Sequence, residues 1–281
     1  MNAKVTPNQD TAGIRLAVCA EMVFLDLPME ERIRRISAAG FDVELWDTRK
    51  HDIEQLVATG ATFSSMTGYS AGSVIDSDTS HDVLRTAAEL IPSALQLGVS
   101  RMVIHPAELI DGQAARPAYR ATGQMWLAGL RTLEKLGELG AEHGVTFTLE
   151  NLNTIADHPG IPLARAKDTL AMVEAVSHPN VKMMLDLYHA QIGEGNLIDL
   201  LGRALPHIGE IQVADVPGRC EPGTGEINYP AIARALDAIG YEGTVGMEAW
   251  AESDSELALA RFREAFTLRH SVPFGAGIST G

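Results

Sequence analysis

The sequence predicts a single (β/α)8 TIM barrel, and three observations carry that prediction. Short apolar runs typical of strands alternate with longer runs of helical period, eight times along the 281 residues. Such alternation implies parallel strands, and eight units close into a barrel. Four of the later strands end on an oxygen-bearing side chain, where barrels of this kind carry their active sites. An open doubly wound sheet would need a glycine-rich phosphate loop, whereas the first strand runs into CAEMVFLDLP.

The first four strand–helix units are marked by their boundary residues. Their strands are IRLAVCA, DVELW, ATFSSM and RMVIH. Pro28 suits the first turn of a helix over 28–39, and Gly40 suits its C-terminal cap. A helix follows Asp52, and a long one ends at Gly98. The fourth helix carries leucines at helical spacing, namely Leu127, Leu130, Leu133 and Leu136.

The last four units supply the strands TFTLE, VKMMLD, HIGEIQV and TVGME. Their helices are predicted to begin near Leu163, Leu197, Asn228 and Ser253. Because no linker or charge block divides the chain, residues 13–270 are expected to form one catalytic domain. Residues 1–12 and 271–281 are predicted to be flexible tails.

Composition and charge restrict the class of protein. A net charge of −15 argues against nucleic-acid or anionic-membrane partners, which need a basic surface. The cysteines, Cys19 and Cys220, are too few for a disulfide framework or a cysteine-rich zinc site. The start of the chain is polar, and no apolar run reaches membrane-span length. We therefore expect a cytoplasmic enzyme of small molecules, associated as a homodimer or homotetramer.

Four strand ends carry the ligands of a predicted metal site: Glu150, Asp186, Gln212 and Glu248. Because the strand ends of one barrel converge, these side chains are expected to meet at its mouth. Three carboxylates and one amide form an all-oxygen set. Such a set suits Mn²⁺ or Mg²⁺ better than Zn²⁺, which favours His and Cys. The sequence therefore predicts one divalent ion of this kind.

Glu150 and Glu248 are also the predicted catalytic pair. They end the fifth and eighth strands, which can place two carboxylates on opposite sides of a substrate. Enolisation next to a carbonyl needs a base for the α-proton and a second group that returns the proton. It also needs a cation to stabilise the enediolate charge. This combination fits metal-assisted enolisation of a small hydroxy-carbonyl compound.

Five further residues are predicted to bind the substrate: His105, His189, Arg219, Glu221 and Trp250. The two histidines lie near strand ends, where they can hydrogen-bond substrate oxygens or orient a carboxylate. The loop VPGRCEPGTGEINYP holds Arg219 and Glu221, and an arginine can bind a carboxylate through two parallel hydrogen bonds. Trp250 follows the eighth strand and is expected to line the pocket wall.

Two stretches, LDLYHAQIGEGNL and IGEIQVADVPGRCEPGTGEINY, together with Glu248, resemble the hydroxypyruvate isomerase family. That family belongs to the xylose-isomerase-like barrels of sugar isomerases and epimerases, and the resemblance covers about residues 14–266. It implies a divalent metal on the four ligands named above, with Glu150 and Glu248 as the acid–base pair. It also implies interconversion of hydroxypyruvate and tartronate semialdehyde through a cis-enediolate. Gln212, where ketose 3-epimerases commonly have histidine, favours the isomerase branch.

Other functions of this barrel stay open. The family carries a lysine shortly after its last glutamate, where this chain has Trp250, which could stack on a larger sugar. A ketose 3-epimerase, or a metal-dependent lyase such as a C-glycoside-cleaving one, would use the same enediolate chemistry. A DNA-repair endonuclease would need several zinc-binding histidines and a basic face. A barrel subunit or sugar-binding protein is the non-enzymatic alternative.

Overall fold

A computed structural model describes residues 13–268 as a closed barrel of eight parallel strands, with a short antiparallel hairpin (β5–β6) outside it. In chain order the strands are β1 (Arg15–Cys19), β2 (Asp42–Leu45), β3 (Phe63–Thr67), β4 (Arg101–Ile104), β5 (Leu109–Ile110), β6 (Gln113–Ala114), β7 (Thr146–Glu150), β8 (Val181–Asp186), β9 (Ile208–Val213) and β10 (Thr244–Met247). The barrel order is β1-β2-β3-β4-β7-β8-β9-β10, and β10 pairs with β1. The predicted fold class is confirmed. The predicted tails, 1–12 and 271–281, lie outside the described residues.

Helices connect the strands and bury one face against the barrel. They are α1 (Met29–Ala38), α2 (Ile53–Val57), α3 (Ser80–Leu97), α4 (Gly123–His143), α5 (Ala166–Val176), α6 (Leu187–Gly193), α7 (Leu197–Ala204), α8 (Tyr229–Ala238) and α9 (Ser255–Phe266). Single 3₁₀ turns occupy Thr48–Lys50 and Leu205–His207. Within residues 13–268, no helix is long and apolar enough to cross a membrane.

Two helix boundaries follow the predicted signals. Asp52 caps α2 by accepting hydrogen bonds from the N–H groups of Glu54 and Gln55. Gly98 ends α3 at φ +73°, a left-handed conformation that glycine adopts without strain.

Two other boundaries differ from the prediction. α5 begins at Ala166 because Leu163 is left-handed, at φ +56°, and cannot belong to a right-handed helix. α6 follows β8 without a loop, since the carboxylate of Asp186 caps it by accepting the N–H of His189 at 2.8 Å.

Strand register pairs two of the predicted ligands directly. Asp186 of β8 is paired with Gln212 of β9, which is paired with Gly246 of β10. Glu150 ends the neighbouring strand β7. A Cβ on Gly246 would lie 2.8 Å from Oε2 of the fully buried Glu44. Glycine at this position therefore leaves room for a carboxyl group inside the barrel.

A buried ion pair occupies the opposite, amino-terminal end of the barrel interior. Arg101, the first residue of β4, donates through Nε to Oε2 of Glu210 at 2.5 Å. Ser65 donates to the other oxygen of Glu210 at 3.3 Å, and Thr244 accepts from Arg101 at 3.2 Å. These bonds satisfy a carboxylate whose side chain is fully buried.

Candidate active site

A cavity of about 220 Å³ lies at the carboxyl ends of the barrel strands. Its polar lining comprises Glu44, His105, Glu150, His158, Gln212, Arg219 and Glu248. A larger groove of about 620 Å³ lies outside the barrel between α1 and α9, where Arg35 pairs with Glu31 and Glu256. Of these two cavities, the one at the strand ends gathers several buried acids, and it is therefore the candidate site.

Glu150 and Asp186 form the centre of the site together with His189. One potential ligand atom from each residue lies within 4.8 Å of the other two, close enough to share a cation. Burial raises the pKa of Glu150 well above its usual value, and the charge of Glu248 raises it further. Burial likewise raises the pKa of Asp186, with a further contribution from Glu150.

Gln212 presents an oxygen to the same site. Its Nε2 donates to Oε1 of Glu44 at 2.6 Å, so Oε1 of Gln212 points away from Glu44. That oxygen is buried and has no hydrogen-bond partner in the described part of the chain. A buried, unpartnered amide oxygen beside acids fits a hard cation, which binds oxygen ligands. The side chains present therefore fit a Mn²⁺ or Mg²⁺ ion.

Glu248 is held at the cavity wall by two donors. The indole N–H of Trp46 donates to Oε1 at 2.6 Å, and Nη2 of Arg219 donates to Oε2 at 2.5 Å. Glu248 follows β10, while Trp46 follows β2. Glu150, Gln212 and Glu248 thus line one cavity, with Asp186 in the cluster behind Glu150. A single ion shared by all four stays a prediction.

Both predicted histidines reach Glu150. His105 Nε2 is 3.2 Å from Oε2 of Glu150, and its Nδ1 is 3.0 Å from the hydroxyl of Tyr69. Burial lowers the pKa of His105 to about 4, so its ring is neutral near pH 7. The side chain of His189 is fully buried, and its Nε2 lies 3.8 Å from Oε1 of Glu150.

The loop after β9 is organised by the carboxylate of Asp215. Its two oxygens accept the N–H groups of Gly223 and Ile227, both at 2.9 Å. A Cβ on Gly225 would collide with the carbonyl oxygen of Val216, so glycine allows the close turn. The glycines and the aspartate of this loop are therefore explained by its close turn and its hydrogen bonds.

Arg219 extends from this loop into the cavity. Its guanidinium lies 5.2 Å from the ring centre of Tyr188, within cation–π range. Its Nε is buried, and no acceptor for it exists among residues 13–268. Apart from its bond to Glu248, this cation therefore keeps a donor for a further acceptor.

Glu221 and Trp250 lie outside the cavity lining. Glu221 is fully buried and accepts hydrogen bonds from Arg261 at 2.7 Å and from the N–H of Glu252 at 2.9 Å. It ties the loop to the segment around α9 and is not brought to the other predicted residues. Trp250 is 39% exposed and packs edge-on against Trp46, with ring centres 6.3 Å apart. It lies at the rim.

Glu44 and His158 line the cavity without having been predicted. Glu44 is the third residue of β2 and is followed by Leu45 and Trp46, so the signal of an acid at the end of an apolar run does not mark it. His158 lies in an irregular segment, where its Nδ1 is 2.7 Å from the carbonyl oxygen of Gly112. No periodic pattern marks such a residue.

Several known proteins are similar to this chain. A family model described as Xylose isomerase-like TIM barrel matches residues 33–267. The 2-oxo-tetronate isomerase of Haemophilus influenzae is 30% identical over 250 residues, which span 83% of this chain and 92% of that protein. The 2-oxo-tetronate isomerase of Cupriavidus necator is 40% identical over 142 residues, 50% of this chain and 52% of that protein.

Two further similarities come from a human protein and a solved structure. The human protein carries the words hydroxypyruvate isomerase in its name and is 32% identical over 177 residues, 63% of either chain. The crystal structure of an AP endonuclease, family 2, from Brucella melitensis is 28% identical with a TM-score of 0.78. That similarity covers 89% of this chain and 98% of the Brucella chain.

Proposed function

The chain belongs to the xylose isomerase-like TIM barrel family, and we propose that it is a metal-dependent isomerase of a small hydroxy-keto acid. The family match confirms the resemblance drawn from the motifs. Relatives named 2-oxo-tetronate isomerase and hydroxypyruvate isomerase support substrates of this class. The observation that carries the proposal is one buried cavity lined by Glu150, Glu248 and Arg219.

Glu150, Asp186, Gln212 and Glu248 would hold the divalent ion. When bound, a Mn²⁺ or Mg²⁺ ion acts as a Lewis acid that polarises a carbonyl oxygen and makes the adjacent C–H more acidic. The free oxygen of Gln212 and the two buried acids Glu150 and Asp186 support this ligand set. Glu248 would join it on release from Arg219.

The two glutamates are proposed to pass a proton between neighbouring carbons. β7 and β10 stand three places apart in the barrel order β10-β9-β8-β7, so Glu150 and Glu248 approach a ligand from different sides. One carboxylate removes the proton from the hydroxyl-bearing carbon to give a cis-enediolate, and the other returns a proton to the former carbonyl carbon. The hydroxyl proton passes to the former carbonyl oxygen. Because burial raises the pKa of Glu150, it holds an abstracted proton more readily than an exposed carboxylate.

Arg219 is the proposed partner of the substrate carboxylate. Among the described residues that line the cavity it is the one lysine or arginine. A guanidinium binds a carboxylate through two parallel hydrogen bonds, which also fixes the orientation of the substrate. His105 and His189, both beside Glu150, would hydrogen-bond the oxygens on the reacting carbons.

Proton NMR in D₂O tests this proposal. Protein loaded with Mn²⁺ and freed of excess metal would be incubated with hydroxypyruvate, 2-oxo-tetronate and a panel of ketoses. We expect an isomeric product from a hydroxy-keto acid, with metal-dependent exchange of its α-proton for deuterium. If protein that has bound its metal gave neither product nor proton exchange with hydroxypyruvate and 2-oxo-tetronate, the assignment would be overturned.

A ketose 3-epimerase, or a lyase that acts after the same enediolate, is the second candidate. A further cavity of about 150 Å³ adjoins the first and shares Trp46, Thr67, His105 and Leu109 with it. A longer sugar could extend into that space. Exchange or epimerisation on ketoses alone in the same assay would favour this candidate.

The remaining alternatives have less support. The Brucella structure carries an endonuclease title, but the net charge of −15 here opposes DNA binding. A barrel that only binds sugar would not need paired buried glutamates. A metal titration that finds no bound cation would favour this non-catalytic reading.

A further inference from the structure

The orientation of the Asn153 amide group is fixed by backbone donors. Its Oδ1 accepts the N–H of Ala156 at 2.8 Å and the N–H of Asp157 at 3.1 Å. Since a backbone N–H can only donate, the atom that faces these groups is the oxygen. The amide nitrogen therefore faces the other way, towards His189 and Asp157.

The two hydrogens of that nitrogen have two acceptors. Nδ2 of Asn153 lies 2.5 Å from Oδ2 of Asp157 and 2.8 Å from Nδ1 of His189. A protonated Nδ1 would place one donor against another, so Nδ1 of His189 must be the accepting nitrogen. The neutral imidazole then carries its proton on Nε2.

Nε2 of His189 has no partner within the described chain, although its side chain is fully buried. It lies 3.8 Å from Oε1 of Glu150 and 3.8 Å from Oδ2 of Asp186. By distance alone, His189 could therefore complete a metal site with these two acids. A metal ligand needs a lone pair, however, and a nitrogen that carries a proton in the ring plane offers none.

We infer that Asn153 is a positioning residue that fixes the tautomer of His189 with the proton on Nε2 and so excludes this histidine from the metal ligands. This inference does not depend on the identity of the substrate. The consequence is an all-oxygen ligand set, which favours Mn²⁺ or Mg²⁺ over Zn²⁺ although a histidine lies within reach.

Exchanging the side chains of residues 153 and 157 should replace the donor that faces Nδ1 of His189 by an acceptor, with little change in shape. In the double variant Asn153→Asp with Asp157→Asn, a carboxylate faces Nδ1 of His189, and the new asparagine still pairs with it. The hydroxyl of Tyr188, 3.0 Å from Oδ2 of Asp157, can turn to accept a hydrogen bond from the new amide nitrogen at that place. Nδ1 should then carry the proton, and the lone pair of Nε2 should face the two acids. The single variant Asp157→Asn is the matched control, because it keeps the donor at residue 153.

Nitrogen-15 NMR of metal-free protein with labelled histidines tests the tautomer directly. His189→Gln identifies the signals by their loss. We expect the Nε2-protonated form in the wild type and in Asp157→Asn, and the Nδ1-protonated form in the double variant. An Nδ1-protonated His189 in the wild type would overturn the inference. If the double variant does not fold, Asn153→Ala should yield a mixture of tautomers, and an unmixed Nε2 form there would equally overturn it.

Metal competition supplies a second readout that does not depend on substrate. The double variant should bind Zn²⁺ roughly tenfold or more tightly than the wild type and Asp157→Asn, the scale typical of such outer partners. Equal Zn²⁺ affinities in the three proteins would contradict the exclusion of His189. If wild-type protein had the expected tautomer but isomerised none of the acids and ketoses in the NMR assay, that result would instead count against the proposed isomerase.

Discussion

The orientation of one amide group decides whether Gln212 can serve as a ligand. Glu44 accepts from its Nε2 and so leaves the amide oxygen free. In a Glu44→Gln variant the new amide can donate as well as accept, so Gln212 is no longer held in one orientation. We expect the affinity for Mn²⁺ to fall roughly 10- to 100-fold, as measured by calorimetric titration.

A double variant in which the residues at positions 44 and 212 are exchanged serves as the matched control for that substitution. Glu44→Gln combined with Gln212→Glu again places a donor opposite an acceptor, and should recover most of the Mn²⁺ binding. Unchanged affinity in the single variant Glu44→Gln would contradict the role assigned to Glu44.

Replacing either of the two carboxylates proposed to be catalytic by its amide should remove turnover. Glu150→Gln and Glu248→Gln keep the size of the side chain but cannot take up the proton, so kcat should fall by about 10²- to 10⁴-fold. Circular dichroism would check that each variant is folded. Glu256→Gln, an exposed position of α9 outside the cavity, is the matched control and should keep its kcat. A rate near the wild-type value in either cavity variant would exclude the two-glutamate mechanism.

Metal binding should release protons. Burial, followed by neighbouring acids, raises the pKa of Glu150 and Asp186, so metal-free protein holds protons on them at higher pH than exposed acids would. A cation binds the deprotonated form, and its affinity should therefore rise with pH and weaken on acidification. Calorimetry in two buffers of different ionisation enthalpy would count the protons. An identical heat in both buffers would contradict this prediction.

Single residues differ in how much the sequence tells about them. The placement of Glu150, Asp186, Gln212 and Glu248 could be predicted because each lies at or next to the end of a strand, and topology brings strand ends together. The partner of Gln212 could not, since Glu44 is 168 positions away and the two meet only when the barrel closes. The histidine tautomer likewise depends on a hydrogen bond that spacing does not reveal.

The loop after β9 should lose its order when Asp215 is changed. In Asp215→Asn one oxygen becomes an NH₂ group that faces the N–H of Gly223 or Ile227, so a donor meets a donor. We expect a loss of about 1–3 kcal/mol in the free energy of unfolding, by urea titration. The KM for a carboxylate substrate should rise more than kcat falls, because Arg219 is displaced.

An exposed residue of the same loop provides the control. Within residues 13–268 the exposed side chain of Glu226 accepts a single hydrogen bond, from Gln191 at 3.2 Å, so Glu226→Gln should change neither stability nor KM. If Asp215→Asn lost stability but kept the wild-type KM, the loop would not be what positions Arg219.

Among the elements, helices with explicit end signals were the most predictable. Asp52 and Gly98 act within a few residues of their own positions, so local sequence is sufficient. α6 was not predicted because Asp186 was interpreted as a metal ligand at the end of a strand. The same residue also caps the N-terminus of α6. The hairpin β5–β6 is too short for any pattern to mark it.

For the molecule as a whole, the ion pair at the far end of the barrel should affect stability and not chemistry. Arg101→Met would leave Glu210 buried without its cation, which should lower the free energy of unfolding by about 3–5 kcal/mol. Activity per folded molecule should stay the same, since the cavity lies at the opposite end. Arg101→Met with Glu210→Met should restore most of the stability. Equal losses in the single and double variants would contradict this account.

Closure of the barrel must also wait until the last strand has been synthesised. β1 pairs with β10, with Arg15 opposite Thr244, which follows 229 residues later. A ribosome that adds roughly 5–20 residues per second takes on the order of 10–45 s to deliver that partner. Throughout that interval the nascent chain exposes an unpaired strand edge, a template for association with other chains. Translation speed and chaperone supply should therefore limit the yield of this enzyme before any property of its finished active site does.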